Sequence, residues 1–269
     1  MKNHTTIPIH VLARNCLVLT GSLLALVTAA TAWAQYSPPM SGLVGWWRGN
    51  GDATDSSGHA FNGTMQNGMG FTTGLNGQAF AGNSGQRMYV VDNSSFVLTN
   101  SLTIGAWVKP QLGYVALLRG DNRAGFDPYQ LTGDNNGHMG IQLTAPNNAV
   151  ESLFTPIQYG VWQQLTATLD GSTGDLRVYL NGTLAAEEFT AIRPFGLLDS
   201  AQSPGIFIGN SNFGADFPLI GAIDEVVLYN RALSPAEVMS LVPEPGSGAL
   251  YTFGAGLLWV IRRRGCAVK

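Results

Sequence analysis

The stretch Ile220-Gly-Ala-Ile-Asp-Glu-Val-Val-Leu-Tyr229, continuing as Asn230-Arg-Ala-Leu-Ser-Pro-Ala-Glu-Val238, decides how the rest of the chain is read. Its first half alternates as a strand, with Ala222, Asp224, Val226 and Leu228 on one face and Ile223, Glu225, Val227 and Tyr229 on the other. The second half starts a helix: Ser234 is a hydroxyl N-cap, Pro235 takes the first helical position, and Glu237 reaches back toward the cap amide. Val238 and Leu241 then face a sheet, and Pro243 ends the run. A strand followed by a short closing helix is therefore the last unit of the fold.

Working outward, Ser101-Leu-Thr-Ile-Gly-Ala-Trp-Val-Lys109 alternates as cleanly. Leu102, Ile104, Ala106 and Val108 form a core face, while Ser101, Thr103, Gly105, Trp107 and Lys109 form a groove wall or a solvated surface. Further strands are predicted at residues 43–47, 88–91, 114–118, 139–143, 162–169, 176–180, 183–189 and 206–208. Asn181-Gly182 supplies the two left-handed positions of a type I′ hairpin turn. No long stretch repeats at 3.6 residues, and Gly, Asn, Ser and Thr punctuate short apolar runs throughout. The predicted fold is all-β, an antiparallel sandwich of two sheets with a short closing helix and no second domain.

Both ends of the chain read as addresses. Lys2 and Arg14 precede an apolar run over 17–32, and Ala32-Trp33-Ala34 offers a small-x-small site for cleavage after Ala34. Residues 1–34 are thus expected to be a secretory signal peptide, with a retained N-terminal anchor as the alternative. At the other end Val242-Pro243-Glu244-Pro245 precedes a spacer, an apolar run to Ile261, and Arg262-Arg263-Arg264. The uncharged stretch 246–261 is near the lower limit of about 17 residues for crossing a bilayer, which suits a sorting signal better than a permanent anchor. This three-part pattern resembles the bacterial PEP-CTERM sorting tail. The resemblance implies that Pro243, Glu244 and Pro245 are recognised by a membrane transpeptidase-like sorting enzyme. It further implies that Arg262, Arg263 and Arg264 hold the tail transiently during export of exopolysaccharide-associated proteins. An ordinary helix buried in a domain is the alternative.

Between these ends, residues 35–243 contain eight Lys/Arg and sixteen Asp/Glu, a formal balance of −8. Repulsion disfavours nucleic acid and acidic membrane surfaces as partners. Both cysteines, Cys16 and Cys266, fall in the terminal segments. The exported middle must therefore be held by its core and not by disulfides.

Several motifs occur in one family's order: Gly42-Leu-Val-Gly-Trp-Trp-Arg-Gly-Asn-Gly-Asp52, Leu102-Thr-Ile-Gly-Ala-Trp-Val-Lys-Pro110, Leu176-Arg-Val-Tyr-Leu-Asn-Gly182 and the opening segment 221–238. On these the chain resembles the laminin-G-like jellyroll family, which has a concanavalin-A-like fold. The expected organisation is a linker over 35–41, a jellyroll domain over 42–241 and the sorting tail over 242–269. The resemblance implies one structural calcium, held by Asp224 in the last strand with Asp52 and the Gly49-Asn50-Gly51 backbone as companions. Calcium favours such hard oxygen ligands. Alternatively, Asp224 accepts backbone amides or pairs with an arginine, and Asp52 caps a turn. Ala81 stands where the family commonly has an acidic residue, which leaves Asn83 as a neutral oxygen in that loop.

The function implied is non-catalytic: a lectin-like module on an exported surface or extracellular-matrix protein, with extracellular polysaccharide or a surface glycoprotein as partner. Aromatic platforms beside amide and carboxylate groups recognise sugars. The aromatic candidates are Trp47, Trp107, Tyr114, Phe126, Tyr129, Tyr159, Trp162 and Phe213, most of them expected in the core. Asp121, Asn122, Arg123, Asp134, Asn135 and Asn136 are expected on a loop rim, with Asn83 as a further ligand-binding candidate. A structural or adhesion module making protein contacts remains the alternative. Hydrolysis is less supported, since the paired carboxylates of a glycosidase strand are missing and the adjacent Glu187 and Glu188 point to opposite faces.

Overall fold

The computed structural model describes residues 36–75, 77–134, 136–211 and 217–242. The cleavage residue Ala34, the sorting residues Pro243, Glu244, Pro245, Arg262, Arg263 and Arg264, and the candidates Asn135 and Phe213 lie outside the described residues. The strands run in chain order as β1 (Leu43–Trp47), β2 (Thr64–Gln66), β3 (Gly70–Thr73), β4 (Gln78–Gly82), β5 (Arg87–Val91), β6 (Leu102–Leu112), β7 (Leu117–Gly120) and β8 (Tyr129–Gly133). They continue as β9 (His138–Thr144), β10 (Val150–Pro156), β11 (Gln163–Leu169), β12 (Asp175–Leu180), β13 (Thr183–Phe189), β14 (Gly205–Ile208) and β15 (Ile220–Tyr229). One helix, α1 (Pro235–Ser240), follows. Among the described residues no helix is long and apolar enough to cross a membrane.

Two sheets result. The first has the order β13-β12-β11-β6-β15-β4-β3, with β1 also paired to β15, and the second has the order β10-β9-β8-β7-β14-β5-β2. The strand pairings are antiparallel and mostly non-sequential, as in a jellyroll sandwich. Alternation places Ile104, Val108, Leu165, Leu169, Val178 and Leu228 of the first sheet against Met88, Leu117, Leu131, Ile141, Leu143 and Ile208 of the second. Removing these side chains from water is the main force joining the layers, roughly 1.5–3 kcal/mol for each fully buried one. The hairpin turn predicted at Asn181-Gly182 forms with both residues at positive φ, 51° and 77°.

One expectation changes. Strict alternation along β15 fails at Glu225, which adopts φ 50° in a bulge where the register to β6 shifts between Asp224 and Val227. The extra residue moves Ile223 to the same interior side as Val226 and Leu228, and turns Asp224 and Glu225 together toward the other side. Trp107 takes the buried packing expected of most aromatic candidates, although it stands on the face of β6 turned away from the sandwich interior. It is 6% exposed beneath a second apolar cluster in which Tyr179, Val227 and Tyr229 meet Tyr36, Leu43, Leu233, Val238 and Leu241.

Helix α1 is what covers that face. Ser234 and Glu237 form the predicted capping box, and Arg231 pairs with Glu237 at 2.7 Å. This pairing and the cap hold the Glu237 carboxyl down at about 2. Thr103 on β6 clamps the approach to the helix, donating to the carbonyl of Arg231 at 2.8 Å and accepting the Leu233 N–H at 2.9 Å. The Trp107 indole N–H reaches the carbonyl of Leu241 at 3.3 Å, so the helix and the strand beneath it share one polar tie within an apolar contact.

Candidate functional site

The outward side of the second sheet carries the site. Its register places Thr64, Tyr89, Phe207, Leu118, Gln130, Gln142 and Ser152 opposite one another in turn across β2, β5, β14, β7, β8, β9 and β10. One row therefore crosses the whole sheet. Its first half is apolar, with Tyr89 and Phe207 stacked at 5.1 Å and packed with Leu118. Its second half is an amide relay: Gln130 donates to Gln142, and Gln142 donates to the Ser152 hydroxyl at 3.1 Å. Each Gln lies between two residues that alternation sends inward, Tyr129 and Leu131 or Ile141 and Leu143. That is why both amides emerge on the outside.

Over this polar half lies a cleft of about 400 Å³, lined by Gln130, Gln142, Thr132, Leu118, Asp127 and Asp134, with Tyr114, Phe154 and Phe217 as its aromatic members. Tyr114 and Phe217 meet edge to face at 5.6 Å. Phe154 stands opposite Gly140, in the row next to the amides, where Gly140 places no side chain beside it.

Asp127 is the chemically unusual group. It is 6% exposed, and its Oδ1 has no hydrogen-bond partner among the described residues. Burial, with the nearby charge of Asp121, pushes its carboxyl up to about 7. Gly120 on β7 makes this placement possible, since a Cβ there would collide with Oδ1 of Asp127. By contrast both oxygens of Asp134 are engaged, Oδ1 by the Asn136 and His138 amides and Oδ2 by the His138 ring at 2.9 Å. The cleft thus combines aromatic walls, a floor of paired amides and the buried carboxyl of Asp127, one oxygen of which has no partner among the described residues.

Asp121 is buried and structural, paired with Arg123 and accepting the Asp199 N–H at 3.1 Å. Arg123 lies over Phe126, 3.8 Å from the ring centroid. Asn122 is exposed on the same loop, with its N–H given to the carbonyl of Gln202. Tyr129 is fully buried with its hydroxyl on the Phe96 carbonyl at 2.8 Å, so it belongs to the core and not to a binding surface. Asn83 accepts the Ser84 N–H in its own turn between β4 and β5. Trp47 is core, Trp162 packs at the edge of the α1 cluster, and Tyr159 is 43% exposed. Of the aromatic candidates, Tyr114 lines the cleft and Phe126 borders it at an adjoining hollow with Thr144 and Asn148.

Asp127, Gln130, Gln142 and Phe154 escaped the sequence reading. Asp127 precedes Pro128 and looks like a turn former. The two Gln residues are 12 positions apart, and only strand register joins them.

At the calcium candidates the picture is divided. Asp224 is 1% exposed, accepts the Leu75 N–H at 2.9 Å through Oδ2, and leaves Oδ1 without a partner. Burial raises its carboxyl to about 6 against the opposing hydrogen bonds, and raises that of Glu225 to about 7. Glu225 accepts the Trp46 indole N–H at 2.5 Å and faces Arg48 at 3.6 Å. Gly49 runs against the Phe80 backbone, at φ 68°. Asp52 is exposed and caps its own turn, accepting from Thr54. No group of three His, Cys, Asp or Glu side chains converges among the described residues. Asp224 therefore fits one hard oxygen ligand, whereas Asp52 is engaged with Thr54 in its own turn.

The fold agrees with the comparisons to known proteins. Residues 81–239 match the model of the concanavalin A-like lectin/glucanases superfamily, more than half of the 269-residue chain. No curated protein matches at a significant level. Among solved structures, the chain is similar to domain 4 of AbnA, a GH43 extracellular arabinanase from Geobacillus stearothermophilus, in complex with arabinotriose. There the TM-score is 0.59 at 22% identity, over 74% of this chain and 98% of that one. It is also similar to the binding domain of Paraclostridial Mosquitocidal Protein 1, with TM-score 0.58 at 18% identity over 76% of this chain. The binding domain of Botulinum Neurotoxin DC in complex with SialylT gives TM-score 0.55 at 15% identity, also over 76% of this chain. The chain spans about half the length of these two toxin domains, 52% and 51%. At such identities the structural likeness speaks for the fold alone. The family match, the two antiparallel sheets and the closing helix together establish that this chain belongs to the concanavalin A-like lectin/glucanases superfamily.

Proposed function

We propose that the cleft on the outward side of the second sheet binds a saccharide. The observation that carries this reading is the convergence, on one register row and its neighbour, of Gln130, Gln142 and the free carboxylate oxygen of Asp127 beside Phe154 and Tyr114. Sugars present hydroxyls around an apolar ring face. Amides and a carboxylate take the former, and aromatic rings take the latter. The volume of about 400 Å³ lies within the usual few-hundred range for a small ligand. The sugar ligands in two of the similar solved structures, arabinotriose and SialylT, support a saccharide as the ligand class.

The cleft binds its saccharide without hydrolysing it. A glycosidase needs two working carboxylates across the bond. Here Asp127 supplies one, while Asp134 is already committed to His138. Glu188 faces the side of Leu176 and Glu187 pairs with Arg177 at 2.5 Å on an edge strand, so these two do not form a pair either.

The terminal sequences support an exported protein delivered to the outer surface or the surrounding polysaccharide, which is where such a module would meet its ligand. We also propose one structural calcium at Asp224, with the Gly49-Asn50-Gly51 backbone supplying carbonyl oxygens and without Asp52. The unpartnered buried oxygen supports it. Bound there, the cation would balance the negative charge of the buried Asp224 carboxylate.

The test is a glycan array probed with the full chain and with Gln142→Ala. Binding to a defined saccharide that Gln142→Ala weakens is the expected result. Saccharide binding unaffected by Gln142→Ala and Phe154→Ala would place the site elsewhere, and no binding at all would favour protein contacts as the role of this surface.

A further inference from the structure

The chemistry of Asp127 narrows the ligand. Resting on the saccharide reading above, we infer that the sugar taken by this cleft bears a free amino group, seated as an ammonium against Asp127. Three observations converge on it. The Asp127 carboxylate is buried and has an oxygen with no donor, so the protein itself leaves its charge uncompensated. The one cation on its loop, Arg123, is spent on Asp121 and on the ring of Phe126. The lining of the cleft contains two aspartates and no lysine or arginine among the described residues.

A buried charge of this kind is stabilised most by an opposite charge that also donates hydrogen bonds. An ammonium does both, whereas a neutral hydroxyl does only the second. An acidic sugar does neither and meets two carboxylates. The Gln130–Gln142 relay and Thr132 remain for the uncharged hydroxyls of the same chain. The cleft is thereby matched to a partly or fully de-N-acetylated hexosamine polymer. It is mismatched to uronic-acid polymers and to hexosamines whose nitrogen is capped by acetyl.

The experiment is isothermal titration of the full chain with three oligosaccharides of equal length: a fully deacetylated chito-oligosaccharide, its N-acetylated counterpart and an oligogalacturonate. The deacetylated chain should bind about ten- to a hundredfold more tightly than the acetylated one, the worth of a hydrogen bond to a charged group. Asp127→Asn, which keeps the shape and removes the charge, should abolish that preference while leaving the melting temperature no lower than that of the parent. Gln142→Ala should weaken the deacetylated and acetylated chains alike. Equal or tighter binding of the acetylated or galacturonate chain, with sensitivity to Gln142→Ala, would overturn the amine assignment and leave the cleft a saccharide site. An amine preference that survives Asp127→Asn would overturn it as well. Failure of all three oligosaccharides, together with an array on which no sugar binds, would overturn both.

Discussion

The two sheets differ most on the sides they turn away from each other. On the first sheet that side is roofed: Trp107, Tyr179, Val227 and Tyr229 are buried beneath Tyr36 and the segment that ends in α1. On the second sheet that side carries the cleft, and the polar half of its row presents amides in place of large apolar groups. A sandwich needs only its interior to be apolar, so each outer side is free to become either a second core or a working surface. Here the outer side of the first sheet has become a second core and that of the second carries a cleft. The buried acids follow the same division: Asp224 and Glu225 lie under neighbouring loops and side chains, and Asp127 opens on the cleft.

The largest effect expected from this contrast is on stability. Trp107→Ala should cost about 3–5 kcal/mol in chemical denaturation, the usual range for emptying a buried aromatic site. A loss under about 1 kcal/mol would show that the α1 roof is not a true core. On the open side Phe154→Ala should do the reverse, weakening saccharide binding by about tenfold while costing far less stability than Trp107→Ala. A variant that binds normally but unfolds would erase the distinction between the faces.

Next in size is the response to pH. The carboxyl of Asp127 stands at about 7 in the folded protein, above its ordinary range, so folding favours its protonated form. Its contribution is complete at low pH and is lost as pH rises through about 7. The ligand-free protein in chelator should therefore melt higher at pH 5 than at pH 8. Asp127→Asn should remove part of that difference and add about 1–3 kcal/mol at pH 8, the cost of an unsatisfied buried group. Asp224 and Glu225, raised to about 6 and 7 by burial, carry the same sign and keep part of the slope. Calcium at Asp224 should raise the melting temperature more at pH 8 than at pH 5, because the ionised carboxylate is its ligand. No shift with calcium at either pH would remove the proposed ion.

The smallest effect concerns the lid itself. Ser234→Ala removes the hydroxyl half of the capping box and should cost about 1 kcal/mol. It should also raise the accessibility of Trp107 to a fluorescence quencher without changing saccharide affinity.

How far the sequence led depends on whether a signal was local. The bounds of β1, β13 and β15, the Asn181-Gly182 turn and the Ser234 cap each follow from residues adjacent in the chain, and each appears as read. β2, β3 and β4 escaped because three to five mixed residues carry too little alternation, and β8 and β10 because Pro128 and the polar sequence around residue 150 resemble loops. The bulge at Glu225 was invisible because one extra residue in a strand leaves the composition unchanged. The candidate site was less legible than the fold. The loop residues Asp121 and Asn83 were chosen for their chemistry, yet both satisfy their own loops. Asp127, Gln130 and Gln142 gain meaning only when β7, β8 and β9 align, and no local spacing encodes that alignment.

The most direct test is to titrate isotopically labelled full-length protein with the saccharide selected on the array and follow side-chain signals by NMR. The expected result is that the amide groups of Gln130 and Gln142 shift together with saturation while the Trp107 indole stays fixed. Shifts confined to the Trp107 side, with both Gln amides unmoved, would contradict a saccharide site on the open face.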